Sequence, residues 1–137
     1  MMTKGGDHLT RRRHSHSIRL RKNLNHLLSL LEIGDTILKY HRQLKTASED
    51  SAMLDLVPTI TDALNMQIQV FGETTIKIDD QFQHEYQNAL PWGQLRKLRN
   101  IISHDYERVD LEIVDMLVYN MPHLINNIDE ICASFNV

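Results

Sequence analysis

Apolar residues recur at three- and four-residue steps through most of this chain, and that spacing constrains it to an all-helical fold. Leu20, Leu24, Leu27, Leu28, Leu31, Ile37, Leu38 and Leu44 draw one stripe, which predicts a first helix over 18–44. Three prolines and five glycines punctuate 137 residues, so long helices go largely uninterrupted. Gly34 falls inside the first helix and is expected to mark either a bend or a close helix contact. The polar stretch Thr46 to Asp50 predicts a turn. A short helix is expected near Ala52–Leu56.

Proline suits the first turn of a helix, where its missing N–H has no partner to lose. Pro58 therefore predicts the start of a second long helix, with Ile60, Leu64, Ile68, Phe71 and Thr75 on its buried side. Ile76-Lys77-Ile78 either continues it or frays. Asp79 to Asn88 reads as a short helix or loop. Pro91 opens a further helix that ends near His104. Asp110 is placed to cap the last helix. That helix carries Leu111, Val114, Leu117, Val118, Met121, Leu124, Ile125, Ile128, Ile131 and Phe135 on one face, and Pro122 is expected to bend it. The sum is an antiparallel bundle of four or five helices joined by short connections.

Charge divides the chain. The first 22 residues carry seven Lys and Arg against Asp7, a net +6, while the whole chain is −3, leaving −9 for the rest. Residues 1–17 are expected to form a basic, flexible arm ahead of a helical domain at 18–137. Such an arm suits a polyanion or an acidic surface, or is simply solvated. A lone cysteine, Cys132, excludes an intrachain disulfide and is expected in the core. No run of about 18 apolar residues is present, so no membrane span and a cytoplasmic protein are expected. Eight histidines include no H-E-x-x-H pattern and no convincing ligand spacing, and the metal reading is rejected. His41, His84 and His123 are expected at a surface or interface. Trp92, after Pro91, is expected to anchor a helix start in the core.

The chemistry concentrates in Arg99-Asn100-Ile101-Ile102-Ser103-His104-Asp105-Tyr106. Arginine binds phosphate as a planar fork, and histidine moves protons near neutral pH. Phosphodiester cleavage needs both. Asn100 and His104 share a helix face, whereas Arg99 and His104 diverge by about 140° on a straight helix. Two arrangements would unite them: a helix that ends at His104, or a two-fold dimer that brings two such pairs into one cleft. The bland alternative is a C-terminal cap network with His104 against the helix dipole.

The run Leu90-Pro91-Trp92 through Arg99, His104 and Tyr106, followed by Val109-Asp110-Leu111-Glu112-Ile113-Val114, resembles the HepT family of HEPN-domain proteins. Arg99, His104 and Tyr106 fill every fixed position of that family's R-x4-H-x-Y motif. Asn120-Met121-Pro122-His123-Leu124 resembles its final helix, and Phe71-Gly72-Glu73 an apolar-Gly-Glu step in an earlier one. The resemblance spans roughly 20–135 and is specific over 90–125. It implies a homodimeric toxin of a type VII-like prokaryotic toxin–antitoxin pair, acting as a metal-independent endoribonuclease on cellular RNA, with no cofactor. It makes Arg99 and His104 catalytic and Asn100 their supporting polar residue. Tyr106 becomes the acceptor of AMP from an MntA-like nucleotidyltransferase antitoxin. Two features depart from the pattern: residues 1–17 have no expected counterpart, and Ser103 stands where an apolar residue is common. The alternative is a non-catalytic binding or scaffold subunit for a minimal nucleotidyltransferase.

Overall fold

The computed structural model describes the backbone of residues 3–104 and 111–137, and the side chains of residues 17–98 and 114–137. The described residues form five α-helices: α1 (Thr3–Glu49), α2 (Val57–Ile76), α3 (Asp80–Glu85), α4 (Trp92–His104) and α5 (Leu111–Ser134). A 3-10 helix over Ser51–Leu56 joins α1 to α2. The described residues include no strand, and the all-helical bundle expected from the spacing is the observed architecture. Among them, no helix is long and apolar enough to cross a membrane.

α1 differs from expectation at both ends. It starts at Thr3, well ahead of Ile18, because residues 3–17 carry no apolar stripe from which a helix could be read. It also runs on to Glu49, so the chain reverses at Asp50 rather than over Thr46–Asp50. Thr46 and Ser48 return their hydroxyls to the carbonyls of Arg42 and Leu44, which accommodates both inside the helix. The Asp50 carboxylate then accepts from Ala52 N at 2.9 Å and caps the 3-10 helix. Pro58 sits in the first turn of α2, as its chemistry requires.

α2 returns antiparallel to α1: it begins beside the end of α1, and the residues just after it meet Asn23. α5 also lies against α1, where Gly34 approaches Met121 and Ile125. An ideal Cβ at Gly34 would lie 3.1 Å from Met121 Sδ and 3.2 Å from Ile125 Cγ1. The glycine marks a close helix contact. α4 packs on α2.

The core gathers Leu24, Leu27, Leu30 and Ile37 of α1 with Leu64, Ile68 and Phe71 of α2. Leu95 and Leu98 enter from α4, and Val114, Leu117, Met121, Leu124 and Ile128 from α5. Cys132 is buried among them, and burial, with Asp129 assisting, pushes its thiol above the usual range. α2 stops at Ile76, yet Ile78 is fully buried past the turn. The polar segment after it is a short helix, α3, capped by Asp79 and holding Phe82 and Gln83 inside. Pro122 lies within α5, directly after the fully buried Met121. The Asp110 cap lies outside the described residues.

Candidate active site on helix α4

Helix α4 is positioned at its N-terminal end by three fixed contacts. Pro91 lacks an N–H, but its carbonyl accepts from Leu95 N at 3.0 Å and starts the helical ladder. Trp92 is buried, and its indole N–H donates to the Tyr86 carbonyl at 3.0 Å. The Asn127 amide of α5 donates to the Ala89 carbonyl at 2.7 Å, tying the α3–α4 connection to the last helix. The expectation that Trp92 anchors a helix start holds, and an indole with its donor satisfied is costly to dislodge.

Among the described side chains of α4, Trp92, Leu95 and Leu98 form a buried strip, while Gly93, Gln94, Arg96 and Lys97 are exposed. The helix continues without a break through 99–104. At about 100° per residue, position 99 falls in register with the buried strip, between the directions of positions 95 and 92. Positions 100 and 104 fall on the opposite face, together with 93, 96 and 97. The regular helix therefore keeps positions 99 and 104 about 140° apart, the divergence expected from the spacing. The side chains of Arg99, Asn100, Ile101, Ile102, Ser103 and His104, and all of Tyr106, lie outside the described residues.

The outward stripe of 93, 96, 97, 100 and 104 has a part that the motif alone does not reveal. Arg96 and Lys97 place two cations on the solvent side of α4, one turn before Asn100. Their four- and three-residue steps to 100 were present in the sequence as a signal. His84 and His123 are exposed and His41 is half-buried. A second basic group lies where the residues just after α2 meet the first half of α1, at the end away from the α1–α2 connection. There burial and then the nearby Lys77 and Lys22 lower the pKa of His26. Among the described residues, no group of three or more His, Cys, Asp or Glu is arranged to hold a metal ion.

A family model described as Ribonuclease HepT-like matches residues 37–131. The matched span takes in all of α2, α3 and α4 and the full Arg99–Tyr106 motif. No curated protein and no solved structure matches the chain.

Proposed function

The chain belongs to the HepT-like ribonuclease family, and we propose that it is the endoribonuclease toxin of a toxin–antitoxin pair, cutting cellular RNA with Arg99 and His104. The observation that carries this reading is the family match across a sequence segment bearing R-x4-H-x-Y in full. RNA supplies its own nucleophile, the 2′-hydroxyl. His104 moves a proton at that hydroxyl or at the leaving 5′-oxygen. Arg99 stabilises the charge that builds on the phosphorane-like transition state. Asn100, four residues before His104, holds the imidazole or touches the substrate. None of these steps calls for a metal or a cofactor.

Positions 99 and 104 diverge on one helix, and a two-fold homodimer resolves this by lining one cleft with two copies of α4. An apolar groove between α4 and α5 supports such pairing. It is lined by Leu95, Leu98, Met116, Leu117 and Leu124. Met116 is half exposed and Tyr119 is 86% exposed, leaving side-chain surface that a second copy would cover. Residues 1–17 act as a basic arm on the 18–137 helical domain and add phosphate contacts.

Silencing follows from Tyr106. A nucleotidyltransferase antitoxin joins the tyrosine oxygen to the α-phosphorus of ATP, and pyrophosphate leaves. The AMP added two residues after His104 in the sequence brings negative charge and bulk that repel the phosphate of an incoming RNA.

The test is the chemistry of the fragment ends. Purified protein incubated with RNA in the presence of a chelator should leave a 5′-hydroxyl and a 2′,3′-cyclic phosphate or its hydrolysed form. Intact RNA after incubation with folded, unmodified protein would instead favour the scaffold role.

A further inference from the structure

A cleft of about 610 Å³ lies between α3 and the first turns of α4. That volume is within the ~300–1,000 Å³ typical of small-molecule sites. Gln87 and Gln94 bring carboxamides to its wall, Arg96 a guanidinium, and Pro91 an apolar surface. Gly93 lies on the same wall, and an ideal Cβ built there would meet nothing within 4 Å. The cleft is therefore open where a side chain would otherwise fill it. Gln83 also lines it, and its buried Oε1 finds no donor among the described residues, while Nε2 donates to the Ile78 carbonyl at 2.8 Å.

These groups match a nucleotide better than a metabolite of one charge. A carboxamide offers a donor and an acceptor side by side, the pattern that reads the edge of an unstacked base. A guanidinium forks onto phosphate or stacks on a base. Asp80 lines the cleft from α3 and disfavours a phosphate there, which leaves the Arg96 side for the backbone. Gly93 and Arg96 share the outward stripe of α4 with positions 100 and 104. The stripe from 93 to 104 is about 16 Å long. A single strand laid along it would pass from the cleft to the motif.

We propose that the α3–α4 cleft holds a nucleotide of the RNA strand flanking the bond to be cut, its base read by Gln87 and Gln94 and its phosphate held by Arg96. The proposal rests on the ribonuclease reading, and it makes the cleft the place where sequence preference is set. Free AMP shares this chemistry, so the source of the nucleotide has to be separated.

The probe is Gly93→Leu, which puts a side chain into open space and improves a helix position, so the thermal midpoint should not fall. Binding of a short mixed-sequence RNA and of AMP is measured in the His104→Ala background, and cleavage in the otherwise native chain. Gly93→Leu and Arg96→Ala should each weaken RNA binding about tenfold, the loss of one good base or phosphate contact. Gln94→Ala should change the nucleotide preferred beside the cut. RNA affinity and cut pattern unchanged in Gly93→Leu would overturn the proposal. AMP binding lost in Gly93→Leu while RNA binding is kept would also overturn it, assigning the cleft to a free nucleotide. RNA binding that falls in Gly93→Leu, in a chain that never cleaves, would sustain the cleft and overturn the ribonuclease reading alone.

Discussion

Asn23 and Asp79 are 56 residues apart in sequence and exchange two hydrogen bonds: Asn23 Nδ2 donates to Asp79 Oδ2 at 2.8 Å, and Asp79 N donates to Asn23 Oδ1 at 3.2 Å. The other carboxylate oxygen, Asp79 Oδ1, accepts from Phe82 N at 2.9 Å and caps α3. One buried amide thus fastens the α2–α3 turn to α1, and through α3 it sets the wall that faces α4.

Loss of this clasp should be costly. Asn23→Ala leaves Asp79 with one side-chain partner fewer and is expected to destabilise the fold by about 1–3 kcal/mol. It should also flatten the acid limb of stability. The Asp79 carboxyl is held below its ordinary 3.8, first by the Asn23 bond and then by the Phe82 N–H, against an opposing burial effect. A depressed carboxyl contributes its stability in full above its unfolded pKa and loses it as pH falls through the folded value. Urea midpoints near pH 7 and pH 3 should therefore differ less in Asn23→Ala than in the native chain. An equal pH dependence would contradict the clasp.

Two helical glycines should respond in opposite directions to the same change. Gly34→Ala gains helix propensity but drives a methyl against the fully buried Met121 and against Ile125. Overpacking outweighs propensity, and a net loss of about 1 kcal/mol is expected. Gly93→Ala meets nothing and has no positive φ to relieve, so a gain of about 0.5–1 kcal/mol is expected. Thermal midpoints of the two variants should fall on either side of the native value.

Trp92→Phe keeps most of the buried surface at the start of α4 but removes the donor to the Tyr86 carbonyl. A loss of about 1–2 kcal/mol is expected by chemical unfolding followed by circular dichroism. A loss near zero would show that packing alone fixes this end of α4.

The helices were legible in the sequence because their buried faces obey the helical period. Leu24, Leu27 and Ile37, and later Leu64, Ile68 and Phe71, fall where the stripes placed them. Leu30 and Ala47 did not stand out, although both are fully buried. α1 packs on both α2 and α5, so its buried arc is wider than one stripe. Asn23 was illegible for a different reason: its partner is remote, and nothing local distinguishes a clasping amide from a solvated one. At the site, residue spacing gave the α4 register of 99, 100 and 104. The cleft beside it was hidden, because its wall joins α3 to α4 across a turn whose course no periodicity encodes.

Tyr106 offers a test of regulation that does not depend on activity. Co-expression with an MntA-like minimal nucleotidyltransferase should add one or more adenylyl groups, localised to Tyr106 by peptide mapping. Tyr106→Phe should stay unmodified and escape silencing. A tyrosine left unmodified under co-expression would remove the antitoxin part of the account.

The most direct measurement is RNA cleavage by the purified native chain beside Arg99→Ala and His104→Ala, each checked for an unchanged helical spectrum. The account predicts that either substitution lowers the rate by about 10²–10⁴-fold, the usual worth of a proton-transfer or charge-stabilising group. Cleavage at the native rate by either folded variant would contradict the assignment of Arg99 and His104 as the residues that cut.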